Sequence, residues 1–159
     1  MTFLPVERLV VRRSLSDEKV GNYVVKWIKN PDSGSSFERK TRFIRWLPGG
    51  LLTRAMLLLK YDGLLFKRDG EIVSHVFFQR HGDSLHAFSF AVGEKHRHLG
   101  LFKQTVADLI NHAKVVGGIT RVRLGAGGHD AVAKMHARLR DHEKDLAIRV
   151  GKEGWVYLQ

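Results

Sequence analysis

Residues 84–104, SLHAFSFAVGEKHRHLGLFKQ, join a strand-like run to the start of a helix through a charged loop. The apolar face of the strand occupies odd positions up to Ala87 and even positions from Phe88 onward. A one-residue slip of this kind is typical of a β-bulge, and bulges often lie beside active sites because they redirect the strand. The alternative interpretation is a strand buried on both faces, where alternation carries little information.

The charged loop leads into a helix predicted for residues 100–116, which should end at Gly117-Gly118. The free amides and the positive dipole end of a helix's first turn attract an anion. Gly100 removes a side chain where a ligand would approach the backbone, and Arg97 can add a charge-assisted hydrogen bond to a phosphate. The segment therefore predicts a pyrophosphate cradle. The alternative is a solvated loop whose basic residues keep the surface soluble.

The composition describes one basic domain spanning residues 1–159. Lys and Arg number 27 against 16 Asp and Glu, which gives a net charge of +11 and favours anionic partners. There is no cysteine, so disulfides, thiolate metal sites and cysteine nucleophiles are excluded. No stretch approaches the ~20 apolar residues of a membrane span, so we expect no membrane association and a cytoplasmic location.

The N-terminal half is predicted to contain a strand, two helices and an ambiguous segment. RLVVRR, residues 8–13, predicts the strand, and Ser16 is expected to cap a helix whose apolar positions follow the helical period. A second, basic helix is predicted over residues 37–47. Residues 51–61 fit either a helix or a strand.

From Leu64 onward the pattern predicts antiparallel strands followed by alternating helices and strands. The turn pairs Asp69-Gly70 and Gly82-Asp83 separate three strands that end at Val92. After the helix at 100–116 the sequence predicts a strand at 119–125, a helix at 130–140 and a terminal hairpin. Together these elements predict a mixed α/β sheet domain.

Residues 92–102, VGEKHRHLGLF, resemble the acetyl-coenzyme A motif of the GCN5-related N-acetyltransferase (GNAT) family. That motif is a strand followed by (Gln/Arg)-x-x-Gly-x-(Gly/Ala) at the start of a helix. Arg97 and Gly100 match it, and Phe102 stands where the pattern has Gly or Ala. The order of the surrounding elements is also similar. The resemblance implies an α+β fold with a GNAT-like mixed central sheet, a bulged strand and flanking helices, in which two parallel strands part around the cofactor's pantetheine arm.

The resemblance further implies an N-acetyltransferase that passes an acetyl or related acyl group from acetyl-CoA, or another acyl-CoA, to an amine by direct attack on the thioester. Arg97 and the amides that follow it would hold the pyrophosphate, and backbone groups of β-strand residues would hold the pantetheine. The cofactor-binding candidates are Phe90, Val92, Arg97, His98, Leu99, Gly100, Leu101, Phe102 and Lys103.

Three residues are candidates for proton transfer. The family's segment Asn-x-x-Ala-x-x-Leu-Tyr can be laid on residues 129–136, HDAVAKMH, which puts His136 at the Tyr position that protonates the departing thiolate. The central strands lack the carboxylate that relatives commonly use as a base, so His86 leads over His75, with Ser89 orienting a water. For His136 and His86 alike, a hydrogen-bonded structural histidine is the alternative.

The rival hypothesis is an RNA- or other nucleic-acid-binding module on a GNAT-like scaffold, without catalysis. The basic helix at residues 38–45, with Phe43 and Trp46 interleaved, would suit an anionic partner of that kind. If the chain is an enzyme, its acceptor is an amine on a small molecule, a peptide or an RNA. A homodimer is also compatible with the sequence.

Two further motifs do not fit the dinucleotide or metal sites that they resemble. GAGGHD, residues 125–130, follows a predicted strand like a dinucleotide-binding loop, but Asp130 replaces its last glycine and too few residues follow. His96-x-His98 lacks a third ligand at a telling spacing, so no metal site is expected.

Overall fold

The computed structural model describes residues 5–29, 42, 44–97, 99–125 and 129–159. The described strands are β1 (Glu7–Val10), β2 (Tyr61–Arg68), β3 (Glu71–His81), β4 (Ser84–Val92), β5 (Arg121–Leu124), β6 (Ile148–Val150) and β7 (Trp155–Leu158). The described helices are α1 (Val11–Ser14), α2 (Glu18–Lys29), α3 (Gly49–Leu58), α4 (Leu101–Val116), α5 (His129–Arg140) and α6 (Glu143–Leu146). A 3-10 turn, Glu94–His96, lies between β4 and α4.

The seven strands form one sheet in the order β1-β2-β3-β4-β5-β7-β6. β4 and β5 are parallel, and every other neighbouring pair is antiparallel. Parallel neighbours require a crossover connection, and α4 supplies it. This mixed sheet with flanking helices confirms the predicted fold class.

Apolar cores lie on both faces of the sheet. α4 and α5 cover one face, to which Leu64, Val76 and Val122 contribute, whereas α1, α2 and α3 cover the other over Leu65 and Phe77. In the described part of the chain, β5, β6 and β7 contribute side chains only to the first core. The second face of these three strands is therefore left without a helix from the described ranges.

The predicted hairpin of β2 and β3 is confirmed, with Arg68 paired to Glu71 across the turn. Asp69 and Gly70 both have positive φ, 53° and 80°, as the type I′ turn requires. Gly63 on β2 is needed for a different reason. A Cβ at this position would collide with the Phe77 ring on β3, so only glycine allows the two strands to pack here.

The predicted first strand is too long. β1 ends at Val10, and the chain turns into α1, where Val11 is fully buried in the second core. The backbone N–H of Arg12 donates to the Asp62 carboxylate at 3.0 Å, so a residue far along the chain stabilises the start of this helix. A run of β-branched residues favours a strand locally, but this tertiary contact overrides the preference.

The N-terminal cap of α2 is Asp17 and not the predicted Ser16. Its Oδ1 accepts hydrogen bonds from the backbone N–H groups of Lys19 at 2.9 Å and Val20 at 3.4 Å. These are the second and third residues of the helix, whose amides have no partner within it. Either residue type can cap a helix, and the hydrogen bonds of the Asp17 carboxylate identify it as the cap.

The ambiguous segment 51–61 belongs to α3 until Leu58, and β2 begins at Tyr61 after Lys60 adopts a φ of 63°. Most of the predicted basic helix at 37–47, including the greater part of residues 38–45, lies outside the described residues. The described residues at its end, Ile44 to Leu47, form a turn in which the Leu47 N–H donates to the Ile44 carbonyl at 3.1 Å.

The C-terminal half follows the prediction closely. α4, β5, α5 and the hairpin of β6 and β7 are confirmed to within a few residues, and α6 is an additional short helix. Phe102 and Val116 follow the apolar period of α4 but are 37% and 42% exposed, because they lie at the two ends of the helix. Among the described helices, none combines the length and the apolar character that crossing a membrane requires.

Candidate functional site

The predicted β-bulge lies where the apolar pattern changes phase. Phe77 pairs with Ser89 and Phe78 with Ala87, so Phe88 is the extra residue that the register shift inserts into β4. As a result Ala87 belongs to the core under α4, while Phe88 belongs to the core on the opposite face. The bulge is thus confirmed at the predicted residue.

Beyond the bulge, β4 and β5 part. The parallel pairing runs from Ser84 with Arg121 to Ala87 with Leu124, and the Gly125 N–H makes a last, long hydrogen bond of 3.4 Å to the Ala87 carbonyl. β4 continues to Val92 with β3 as its only described neighbour. A wedge-shaped gap therefore opens in the sheet.

Backbone groups of β4 face this gap. The Gly93 N–H donates to the Val73 carbonyl of β3 at 2.8 Å. In an antiparallel ladder, successive residues direct their N–H and C=O groups alternately toward and away from the partner strand. Phe90 and Val92 consequently direct their backbone groups away from β3 and into the gap.

The N-terminus of α4 opens on the same region. Gly100 precedes the helix in the left-handed conformation, with φ 75° and ψ 10°, and its carbonyl accepts the first helical hydrogen bond, from the Gln104 N–H at 3.1 Å. The backbone amides of Leu101, Phe102 and Lys103 therefore have no acceptor within the helix. A Cβ at Gly100 would have no heavy atom within 4 Å, so this position faces open space.

The gap and the helix terminus border a cleft of about 790 Å³. Seven of the nine predicted cofactor-binding residues line it, namely Phe90, Val92, Arg97, Gly100, Leu101, Phe102 and Lys103. Leu99 is exposed and does not line it, and His98 lies outside the described residues. The other described residues that line it are Trp27, Ala91, His96 and Arg138.

The charge of the cleft suits an anion. Arg97, Lys103 and Arg138 are cationic, and its described lining contains no carboxylate. The Arg97 Nε donates to the Val92 carbonyl at 3.4 Å, which holds this side chain against the end of β4. The Phe90 and Phe102 rings lie 5.5 Å apart and supply an apolar wall. The cleft thus combines an apolar wall with three cationic side chains.

Trp27 and Arg138 are lining residues that the sequence did not single out. Trp27 follows the apolar period of α2, which indicates burial in a core, and Arg138 is one of many basic residues on α5. No local pattern distinguishes either from its neighbours. Both reach the cleft only because the helices that carry them pack on opposite faces of the sheet.

A chain of hydrogen bonds crosses the core beside this cleft. His75 is fully buried; its Nδ1 lies 2.8 Å from the Tyr23 hydroxyl and its Nε2 lies 3.0 Å from the Ser89 hydroxyl. The Trp27 ring, which lines the cleft, packs edge-on against the imidazole at 4.5 Å between centroids. Ser89 is thus linked through His75 to Tyr23, and both hydroxyl residues are partly exposed.

Burial sets the protonation states of the hydrogen-bonded groups Tyr23 and His75. It lowers the pKa of His75 from the usual 6.5 to about 3, because the charged imidazolium loses its hydration. It also raises the pKa of Tyr23 to about 12. All three groups are therefore neutral near pH 7. A neutral imidazole donates from one nitrogen and accepts at the other, so both hydroxyls can be satisfied in either tautomer.

His86 lies on the same face of β4 as Ser89, since their partners Gln79 and Phe77 are two residues apart on β3. Its Nε2 lies 3.0 Å from the Ser84 hydroxyl, and its ring packs edge-on against Trp155 at 5.4 Å. His86 is absent from the residues that line the cleft. Its own contacts direct it toward the C-terminal strands.

His136 is buried on α5. Its Nε2 has no hydrogen-bond partner within the described ranges, and burial lowers the pKa of the imidazole. The described lining of the cleft includes Arg138 from the same helix but not His136. The structure therefore brings most of the predicted cofactor residues together around the cleft, whereas His86, Ser89 and His136 are not among its described lining residues.

A second depression, of about 880 Å³, lies near the C-terminal end of α4 and is lined by residues such as Arg13, Lys60 and His112. It is basic, but it adjoins neither the gap between β4 and β5 nor the N-terminus of α4. The backbone donors and acceptors described above converge only on the first cleft. That cleft is the candidate functional site.

Solved structures share this architecture. No protein-family model matches the chain, and no curated protein matches its sequence. Tetrahymena GCN5 aligns with a TM-score of 0.55 and 9% identity over 98% of this chain and 97% of that one. A ribosomal-protein-alanine N-acetyltransferase from Brucella melitensis aligns with a TM-score of 0.57 and 13% identity over 87% and 91%.

An aminoglycoside acetyltransferase from an uncultured soil sample aligns with a TM-score of 0.56 and 14% identity, over 87% of this chain and 91% of that one. At these identities the similarity concerns the fold. The chain has the fold of the GNAT acetyltransferases, in agreement with the resemblance of residues 92–102.

Proposed function

We propose that this protein is an acyl-CoA-dependent N-acetyltransferase, which transfers an acetyl or related acyl group to an amine. The observation that carries the proposal is the parting of β4 and β5 at the bulge, directly beside the open N-terminus of α4. In a GNAT-type fold this arrangement offers an extended ligand both strand-type hydrogen bonds and an anion site.

The residues of the cleft fit acyl-CoA in chemistry. The amides of Leu101 to Lys103 and the guanidinium of Arg97 would bind the pyrophosphate, because helix N-termini and arginine both favour phosphate oxygens. The open space at Gly100 allows the backbone to approach that group. Phe90 and Val92 would hydrogen-bond the pantetheine amides from the edge of β4. When bound, acyl-CoA supplies an activated thioester.

Amine acylation requires that a proton leave the ammonium form of the acceptor. No described residue of the cleft is a carboxylate, so we propose that Ser89, His75 and Tyr23 conduct this proton. Ser89 accepts it at Oγ and passes its own proton to His75 Nε2, while Nδ1 passes one to Tyr23, which releases one to water. Each group begins and ends neutral, so the lowered pKa of His75 is no obstacle.

His86 and His136 remain predictions for the same proton transfers. His86 shares a face of the sheet with Ser89, and His136 has an unpaired buried nitrogen within the described residues. His86 would act as the base through a water held by Ser89. His136 would protonate the leaving thiolate, the role that the family's tyrosine has at the corresponding position.

Isothermal titration calorimetry with acetyl-CoA tests the proposed function. We expect binding that persists at moderate salt, and release of free thiol when acetyl-CoA is mixed with a panel of amines. Desulfo-CoA, which keeps the pyrophosphate but lacks the thiol, should still bind. Absence of heat with both ligands would refute the proposal.

Single substitutions separate the proton-transfer candidates. Ser89→Ala and Tyr23→Phe are each expected to lower kcat about 100-fold, because general acid and base groups contribute on that scale. Affinity for acetyl-CoA, measured by calorimetry, should stay unchanged. A loss of kcat in His86→Ala with full activity in Tyr23→Phe would identify His86 as the base. The hydrogen bonds of His75 with Ser89 and Tyr23 would then have only a structural role. His136→Ala should lower kcat at unchanged affinity if it serves as the acid.

A further inference from the structure

The face of the C-terminal strands that no helix of the described ranges covers carries an alternation of arginine and aromatic side chains. Val122, Val156 and Ile148 belong to the core on the other face. Because side chains alternate along a strand, the residues next to each of these three point away from that core. We call this surface the arginine-aromatic face, and its members are His86, Arg121, Arg123, Arg149, Trp155 and Tyr157.

Strand register aligns these residues in two rows across the sheet. In the first row His86 on β4 pairs with Arg123 on β5, which pairs with Trp155 on β7. In the second row Tyr157 on β7 pairs with Arg121 on β5 and with Arg149 on β6. Each aromatic residue of β7 therefore has an arginine directly opposite it on at least one neighbouring strand.

The guanidinium groups stack on the rings. The Cζ of Arg121 lies 4.5 Å from the centre of the Trp155 ring and that of Arg123 lies 5.7 Å from it. The Cζ of Arg149 lies 5.0 Å from the centre of the Tyr157 ring. These distances are typical of cation–π contacts. A guanidinium has five N–H donors, so an arginine that contacts a ring in this way can still hydrogen-bond another partner.

The face has a large excess of positive charge. Arg123 and Arg149 are exposed. The ion pair of Arg121 with Asp83 is long, 3.8 Å, and the Asp83 carboxylate also accepts a 2.7 Å hydrogen bond from Thr120. The Nε of Arg121 is buried without a hydrogen-bond partner in the described part of the chain. Asp83 is thus the one acidic residue among the described groups that these arginines contact.

We propose that the arginine-aromatic face binds single-stranded nucleic acid. Unstacked bases pack on aromatic rings and on guanidinium planes, and the outward N–H groups of arginine hydrogen-bond phosphate oxygens. An acidic peptide would use the charges but leave the rings of Trp155 and Tyr157 unused. A duplex presents its phosphates without exposing the faces of its bases, so it too would use only the charges.

Fluorescence anisotropy with labelled oligonucleotides of about 12 nucleotides tests the proposal on the full chain. We expect single-stranded RNA or DNA to bind more tightly than a duplex of the same sequence. The difference in affinity between the RNA and the DNA strand shows whether the ribose hydroxyl contributes. Equal affinity for single strand and duplex, or tighter binding of a poly-glutamate peptide, would overturn the proposal.

Substitutions locate the site. Trp155→Ala is expected to weaken binding about 10-fold or more, and Trp155→Phe to restore most of it, because stacking of one base contributes on that scale. Arg123→Gln should weaken binding and lower the slope of log affinity against log salt by about 0.7, measured between ~50 and ~300 mM, since one phosphate contact is lost.

Two variants serve as matched controls. Trp46→Ala removes another tryptophan, which is 77% exposed, and Arg54→Gln removes an exposed arginine on α3. Neither should change affinity beyond about twofold, given the weak dependence on a single remote charge. A loss in Trp46→Ala without one in Trp155→Ala and Arg123→Gln would place the site elsewhere and refute the inference. We expect all four variants to bind acetyl-CoA as tightly as the wild-type protein. A loss of nucleic-acid binding then concerns this face and leaves the proposed acyl transfer untouched.

Discussion

Acidification from about pH 7 to about pH 4 is expected to lower the free energy of unfolding by about 3 kcal/mol through His75 alone. Burial lowers the pKa of His75 from 6.5 to about 3 in the folded protein. Between these values the unfolded chain binds a proton that the folded chain does not, so stability falls as the pH falls. The contribution is complete above pH 6.5, where the imidazole is neutral in both states.

Chemical denaturation at a series of pH values measures this effect. His75→Gln should flatten the profile between the two pKa values. If His75→Gln does not fold, the imidazole resonances of the wild-type protein provide a second measurement. Signals of His75 that show protonation with a midpoint near pH 6.5 would contradict the prediction.

Replacement of Gly100 by valine is expected to reduce the affinity for acetyl-CoA by about 100-fold, since a side chain there would displace the pyrophosphate from the amides of α4. The substitution also strains the backbone, because φ is 75° and a β-branched residue rarely adopts this conformation. Destabilisation on the order of 1–2 kcal/mol should accompany the loss of affinity.

Gly70→Val is the matched control for this experiment. Gly70 has a φ of 80°, a Cβ there would also meet nothing within 4 Å, and it lies in the turn between β2 and β3. Both variants should therefore lose comparable stability in thermal denaturation, while calorimetry detects the loss of acetyl-CoA binding only in Gly100→Val. Equal affinities in the two variants would mean that the N-terminus of α4 does not bind the pyrophosphate.

Features that depend on neighbouring residues were predictable from the sequence. The change of phase between Ala87 and Phe88 predicts the bulge, the Asp69-Gly70 pair predicts the turn, and Gly100 predicts the start of α4. Each follows from backbone conformation or from the two-residue alternation of a strand, which a few consecutive residues specify. These same features define the gap in the sheet and its predicted cofactor residues.

Features that depend on residues far apart in the sequence were not predictable from it. RLVVRR reads as a strand, yet the chain turns at Val11 because Asp62 stabilises the start of α1. His75 is one of nine histidines, and only the packing of α2 against the sheet brings it between Tyr23 and Ser89.

The sequence by itself thus determined the fold class and the cleft beside α4, since strand alternation, turn residues and a helix start are local properties of the chain. The tertiary structure alone decided which histidine is buried and which arginines stack on Trp155 and Tyr157. Burial and side-chain contacts depend on the relative positions of whole strands and helices, and no short stretch of sequence specifies those positions.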